Sequence, residues 1–176
     1  ILVTGAAQLY KNPPQGWLPA GFQPSAAKGK SAAESIPFNK AVKTRQWWTL
    51  WLMLFLNVSA GIGLISQLSP MAQDVLRKTM EGQPTPDQLQ AIAITAGTVL
   101  AIASIFNGLG RLIWSWLSDA IGRKAVFEIM FISQAVLYML LPKIGNIVLF
   151  GIMASYLLAC YGGGFATMPA FAADAF

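Results

Sequence analysis

Four long stretches of the chain are apolar and almost uncharged, and they limit its possible folds more than any other feature: 47–68, 89–117, 125–141 and 147–170. An α-helix rises about 1.5 Å per residue, so about 20 residues cross the ~30 Å hydrocarbon core of a bilayer. Backbone polar groups inside lipid must pair within their own segment, which favours helices over open strands. The sequence therefore predicts an all-α membrane protein in which these four stretches are transmembrane helices.

The composition supports a membrane protein and argues against an enzyme. The chain is 55% hydrophobic and 11% charged, whereas about a quarter of the residues of a soluble domain are charged. It contains no His, and its single Cys, Cys160, lies in an apolar run. The sequence offers no nucleophile–base pair, metal cluster or phosphate-binding loop. We therefore expect no catalytic residue, no cofactor, no metal site and no nucleic-acid partner, and we expect the lipid bilayer to surround the protein.

Basic residues are concentrated between the apolar stretches. The loop 9–46 is rich in Pro, Gly, Ala and Ser and contains a single acidic residue, Glu34. Its basic residues are Lys11, Lys28, Lys30, Lys40, Lys43 and Arg45. The positive-inside rule places this loop and the turn 118–124 in the cytoplasm. The loop 69–88 and the turn 142–146 then lie on the extracytoplasmic side. Residues 171–176 begin a further cytoplasmic loop.

Arg111 is a charged residue inside the second apolar stretch. A guanidinium keeps its charge in proteins and is costly to bury in a membrane, so it needs an anion. Its planar fork can hold a carboxylate through two charge-assisted hydrogen bonds. The alternative is that Arg111 snorkels to the interface, since Trp116 lies only about 7–8 Å further along the axis. Asn107 shares a helix face with Arg111, and it can orient the guanidinium, touch a substrate or make an ordinary interhelical hydrogen bond.

A glycine, an Asp and a Gly-Arg-Lys turn lie at defined spacing around the end of the second stretch: Gly110, Asp119, Gly122, Arg123 and Lys124. This arrangement resembles the loop motif of the major facilitator superfamily, in its second-half copy between helices eight and nine. In that motif Asp119 pins two helices through a neighbouring Arg, and Gly122 allows a tight turn. The resemblance implies a conformational role. We expect Glu128 to pair with the Asp119/Arg123 cluster rather than relay protons, and Asp174 to be solvated or structural.

Three further features resemble the oxalate:formate antiporter family within that superfamily. They are Phe106-Asn107-Gly108-x-x-Arg111, Asn57 followed by Gly61, and the run from Tyr161 through three glycines to Pro169. The stretch 12–17, Asn-Pro-Pro-Gln-Gly-Trp, also looks like members of this family. Related monocarboxylate transporters have an acidic residue where this chain has Asn107, and this departure weakens the case for carrying their proton-coupling chemistry over to this chain.

The resemblance implies a position for each segment. Residues 1–8 would end helix six, 9–46 would be the central cytoplasmic loop, and the four apolar stretches would be helices seven to ten. The chain would be part of the C-terminal six-helix half of a twelve-helix transporter. The N-terminal half and helices eleven and twelve of the same polypeptide would be its partners, and a second basic residue that helps bind dicarboxylates would lie in helix eleven.

The implied function is alternating-access transport of small mono- or dicarboxylates, such as oxalate, formate, lactate or pyruvate, across a bacterial inner membrane. The substrate-binding candidates are Arg111, Asn107, Tyr161, Phe165 and Asn57. The resemblance places Tyr161 in the cavity wall, although Tyr161 and Phe165 can also be a packing pair and Asn57 an interhelical hydrogen-bond donor. Residues 162–164 and Pro169 favour either a bendable span or close packing. Transport of another solute, such as a drug or sugar, and a receptor that transports nothing remain alternatives.

Overall fold

The computed structural model describes residues 36–80 and 82–176. The predicted end of helix six (1–8) and most of the predicted central loop lie outside the described residues. The described part is helical and contains no strand. Its elements, in chain order, are α1 (Phe38–Ala41), α2 (Arg45–Arg77), α3 (Pro86–Ile121), α4 (Arg123–Leu140), a 3-10 turn (Leu141–Lys143) and α5 (Ile147–Ala175). Four of these helices, α2 to α5, are long and apolar enough to cross a membrane. The predicted all-α membrane fold is therefore confirmed.

Side chains just outside the helices cap the start of each long helix except α4. Thr44 accepts a hydrogen bond from the backbone N–H of Trp47 at the start of α2, at 3.3 Å. Thr85 and Gln88 form a reciprocal capping box at the start of α3, whose first residue is a proline. The Asn146 Oδ1 atom accepts from two backbone N–H groups at the start of α5. These caps satisfy N–H groups that have no partner within the helix.

The helices run beyond the ends of the predicted spans. α2 continues through Pro70 to Arg77, and α5 continues through Pro169 to Ala175. The extension of α2 contributes Ala72 and Val75 to the buried core. These residues follow Leu68 at helical spacing and so prolong the same packed face. Part of the predicted loop 69–88 is therefore helical, while the depth at which each helix leaves the bilayer stays a prediction.

α5 is the central helix of the described bundle and packs against α2, α3 and α4. In the most apolar 18-residue segment of α5, 61% of the segment is buried, against 17% in the corresponding segments of α2 and α3. One buried cluster gathers around Phe150 and Leu157, and a second around Phe127 and Met130. Because lipid is as apolar as Leu, such packing in a membrane depends on close van der Waals contact rather than on escape from water.

Hydrogen bonds between helices supplement this packing. The Tyr138 hydroxyl of α4 donates to the carbonyl oxygen of Ala60 in α2 at 2.9 Å. The Tyr156 hydroxyl of α5 donates to the Ser133 Oγ of α4 at 2.8 Å. Such bonds contribute on average about 0.6 kcal/mol each in a membrane bundle. They fix the rotation of α4 and α5 about their axes more than they determine the total stability.

Candidate functional site

The connection between α3 and α4 is a single residue long. Only Gly122 separates the end of α3 at Ile121 from the start of α4 at Arg123. Gly122 has a φ of +94°, a conformation that favours glycine over residues with a Cβ. Its N–H donates to the carbonyl oxygen of Ser118 at 3.1 Å. We call the end of the bundle that carries the turn Ser118–Lys124 the motif end.

Arg123 joins three helices at the motif end. Its guanidinium forms ion pairs with Asp119 of α3 at 2.5 Å and with Asp174 of α5 at 3.2 Å, and it donates to the Ser118 Oγ. Partial burial disfavours the charged guanidinium, but the hydrogen bonds to the two carboxylates outweigh this effect and raise the pKa of Arg123. Arg123 and Asp119 of the motif therefore form an ion-pair network with Asp174, which pairs with Arg123 while its side chain stays largely exposed.

Glu128 does not join this network. Its carboxylate pairs with Lys124 at 3.5 Å, one helical turn earlier in α4. Both side chains are largely exposed, and Arg123 is already engaged by Asp119 and Asp174. The expected pairing of Glu128 with the Asp119/Arg123 cluster is therefore corrected to a local pair within α4, because residues four apart lie side by side on a helix.

Arg111 lies in the second half of α3 with an exposed side chain. Among the residues that the structure describes, no ion pair or hydrogen bond to its guanidinium is present. It follows Asn107 by one helical turn on the same helix face. The bundle therefore presents an unneutralised cation from within a helix that is apolar enough to span a membrane.

Asn107 lies at the contact between α3 and α5. A Cβ atom built on Gly162 of α5 would come within 3.0 Å of the Asn107 carbonyl carbon and still closer to both of its oxygens. The Asn107 Oδ1 atom is buried and has no hydrogen-bond partner among the described residues. A buried acceptor without a donor is costly, so a donor for this atom is missing from the described arrangement.

Tyr161 and Phe165 lie one turn apart on α5 with their rings edge to face, 5.3 Å between centroids. Tyr161 is half-buried, and its ring lies against Gly61 of α2. The Phe165 side chain is 39% exposed. The two aromatics therefore pack on each other, as the alternative prediction states, and they also leave ring surface open at the side of α5.

Asn57 of α2 is buried, with 1% of its surface exposed. Its Nδ2 donates to the carbonyl oxygen of Tyr161 at 3.2 Å, and its side chain lies against Gly164. This is the interhelical hydrogen bond that the sequence analysis offers as the alternative to substrate binding. Asn57 reaches the candidate site through the backbone of Tyr161.

The glycines at 162–164 make close helix contacts. Each is buried, and a Cβ on them would meet Asn107, Trp114 and Asn57 in turn. Gly110 of the motif is also at such a contact, because its Cβ would lie 2.5 Å from the Ala159 Cα. α5 remains one continuous helix through this run. The structure thus favours close packing over a break at these glycines.

A groove of about 640 Å³ runs between α3 and α5 on another side of the bundle. Its walls are almost entirely apolar and include Phe106, Ile113, Trp114, Ile152 and Tyr156. None of the five substrate-binding candidates lines it. The groove therefore lacks a charged side chain to hold an anion, and it was not predicted from the sequence. The 3–4 spacing of Thr95, Val99, Ile102 and Phe106 was the signal for this face of α3.

Comparison with known proteins gives this bundle a family. The sequence model described as Major Facilitator Superfamily matches residues 2–176. A curated relative, the oxalate:formate antiporter of Oxalobacter formigenes, is 28% identical over 137 residues, which cover 77% of this chain and 29% of the antiporter. The chain thus spans well under half the length of this relative. With the family match extending over nearly all of its residues, the chain belongs to the major facilitator superfamily.

Proposed function

We propose that the protein transports small carboxylates across a membrane by alternating access, with Arg111 binding the carboxylate. The observation that carries this proposal is the guanidinium of Arg111, which is exposed on α3 and has no anionic partner in the described part of the bundle. Membership of a transporter superfamily supports transport as the activity. The name of the antiporter relative supports carboxylates as the substrate class.

The energetics of a charge in a membrane favour a ligand for Arg111. An Arg at the centre of a spanning helix costs about 2.5–3.5 kcal/mol on insertion scales. Charge-assisted hydrogen bonds are roughly twice as strong as neutral ones, and a carboxylate can accept two of them in parallel from one guanidinium. A carboxylate substrate therefore supplies the missing countercharge in the water-lined cavity of a transporter, while the same cation excludes positively charged solutes.

In this proposal, neighbouring residues orient the guanidinium of Arg111 and form a wall of the binding cavity. The Asn107 Oδ1, one turn away, has no hydrogen-bond partner among the described residues. In our proposal it accepts from the guanidinium and fixes the plane of the fork, or it contacts the substrate. Tyr161 and Phe165 confine the small anion beside the Arg. Asn57 holds the backbone of Tyr161 in place. The packing of α2 and α3 against α5 supports these proposed roles.

The network at the motif end has a conformational role in this proposal. Arg123 ties α3, α4 and α5 together through Asp119 and Asp174, and Gly122 makes the turn that brings these charges together. Gly110 keeps α3 against α5, and Lys124 adds positive charge. We place this end in the cytoplasm on the basis of the positive-inside rule. The network would then stabilise one of the two access states.

The proposed setting is a bacterial inner membrane, which the organism of the antiporter relative supports. The substrates we propose are oxalate, formate, lactate or pyruvate. The cavity is completed by the N-terminal half and helices eleven and twelve of the same polypeptide, since transporters of this class bind substrate between two halves. Small carboxylate anions and the lipid bilayer are the proposed partners.

Counterflow in proteoliposomes tests the proposal on the full-length protein. The four labelled carboxylates are compared in wild type, Arg111→Gln and the control Arg77→Gln, which removes an equal charge near the end of α2. We expect wild type and Arg77→Gln to exchange at least one carboxylate and Arg111→Gln to lose at least about 100-fold in kcat/KM, as an Arg–carboxylate pair of about 3 kcal/mol predicts. Carboxylate exchange that survives in Arg111→Gln would overturn the role of Arg111. Absence of exchange in wild type would overturn the substrate class.

A further inference from the structure

Three of the residues proposed for the carboxylate site each lie against a glycine of another helix. The Tyr161 ring lies on Gly61, where a Cβ would be 2.6 Å from Cε2 and closer still to other ring atoms. Asn57 lies on Gly164, where a Cβ would be 2.8 Å from the side-chain Cγ. Asn107 lies on Gly162. Contacts below 3 Å cannot be tolerated without movement, so each glycine reserves the space that its partner occupies.

Four other glycines of the same helices make no such contact, whereas Gly110 and Gly163 do. A Cβ on Gly63, Gly97 or Gly108 would meet nothing within 4 Å, and a Cβ on Gly151 would reach only Val99 at 3.7 Å, an ordinary van der Waals distance. Small residues in membrane helices commonly serve to bring backbones together. The contacts of Gly61 and Gly164 are different, because the atoms they would meet are those of side chains rather than a backbone.

Tyr161 is held from three directions. Its carbonyl oxygen accepts a hydrogen bond from the Asn57 Nδ2 at 3.2 Å. Its ring packs edge to face with the Phe165 ring, 5.3 Å between centroids, and also lies against Gly61. For Asn107 the constraint is simpler. Its Oδ1 has no hydrogen-bond partner among the described residues, and a Cβ on Gly162 would overlap both this oxygen and the Asn107 carbonyl oxygen.

We propose that Gly61 and Gly162 are positioning residues of the carboxylate site, Gly61 for Tyr161 and Gly162 for Asn107. This inference rests on the proposed function. A methyl group at Gly61 displaces the aromatic ring or separates α2 from α5, and a methyl group at Gly162 displaces the Asn107 oxygens. Both changes misplace groups around Arg111 without altering any group that contacts the substrate.

The test measures counterflow kinetics with oxalate, formate, lactate and pyruvate on the full-length protein. Gly61→Ala is compared with Gly63→Ala, and Gly162→Ala with Gly151→Ala, so that each pair adds one methyl group to the same helix. We expect Gly61→Ala and Gly162→Ala to raise KM by about 10- to 100-fold, since displacement of a site by about 1 Å has effects of this size. We expect the two control variants to keep the wild-type KM, and kcat to change less than KM.

A double-mutant cycle separates positioning from general packing. In a Tyr161→Ala background, adding Gly61→Ala is expected to change KM by less than about twofold, because the ring that the methyl group displaces is gone and the two effects are not additive. If Gly61→Ala alone fails to fold, the Gly61→Ala/Tyr161→Ala pair is expected to recover folding. Additive effects, or no recovery by the pair, would overturn the inference.

The outcomes also separate this inference from the function on which it rests. Carboxylate exchange by wild type with equal KM in Gly61→Ala and Gly63→Ala would overturn the positioning role and leave the proposed function intact. Absence of exchange by wild type with all four carboxylates would overturn the proposed function and, with it, the site that the glycines are proposed to position.

Discussion

Arg111 and Arg123 lie on adjacent helices of one bundle, and their surroundings are opposite. Arg123 is engaged by two carboxylates and a hydroxyl from α3 and α5. Arg111 has no such partner in the described part of the chain, although it lies deeper in an apolar helix. The difference supports our proposal that Arg111, rather than Arg123, is the side chain whose charge is available to a ligand. A cation neutralised by its own fold is structural, whereas a cation left unneutralised in a spanning helix is a candidate binding group.

Exchanging each Arg for Lys gives the largest expected contrast after outright charge removal. Lys keeps the charge and loses the planar fork. Arg111→Lys should raise the KM for the carboxylate by about 10- to 100-fold, since one charge-assisted hydrogen bond contributes about 1.5–3 kcal/mol. Arg123→Lys should change KM by less than about threefold, because a point charge still serves two exposed carboxylates. Counterflow kinetics on the two variants, prepared side by side, measure both values.

Equal changes of KM in the two Lys variants would break the comparison. So would a larger effect at position 123 than at position 111. Either result would move the anion-binding role away from Arg111, or would show that the motif end controls substrate affinity as well as conformation.

Most of the fold could be predicted from hydropathy. A bilayer permits few structures, and four almost uncharged stretches of suitable length narrow the choice further to a bundle of spanning helices. The end of α2 was placed too early. Ser69 and Pro70 look like a break in the sequence, yet Ala72 and Val75 find buried positions against other helices and the helix continues. That outcome depends on tertiary packing, which a reading of local signals does not contain.

The candidate site was predicted unevenly, for a similar reason. Arg111 could be identified from the sequence alone, because it is a charged residue within an apolar stretch. The contacts of Gly61 with Tyr161 and of Gly162 with Asn107 depend on which helices are neighbours and on their rotation. Asp174 could be assigned no partner from sequence, since Arg123 is distant along the chain and only the position of α5 brings the two within 3.2 Å.

The ion pairs of Arg123 should affect stability and turnover more than affinity. Asp174→Asn removes one of two carboxylates from an exposed network, and we expect a loss of about 0.5–1 kcal/mol in the free energy of unfolding. We also expect an altered kcat with a KM close to wild type, because the residue ties α5 to α4 and lies apart from the proposed site. Thermal unfolding in detergent and counterflow kinetics measure the two effects, with Asp74→Asn on the exposed surface of α2 as the control. An increased KM with unchanged kcat would contradict this assignment.

The pair between Lys124 and Glu128 is the third arrangement of charge in the bundle and should have the smallest effect. It joins two exposed side chains of one helix at 3.5 Å, and it ties no second helix to α4. Isolated pairs of this kind stabilise a helix by about 0.3–0.5 kcal/mol and are screened by salt. We expect Glu128→Gln to lower the free energy of unfolding by no more than this amount, to lose that difference in high salt, and to leave counterflow within about twofold of wild type. A loss of transport in Glu128→Gln would contradict this local role and favour the alternative of a proton relay, which the exposed position of Glu128 beside Lys124 argues against.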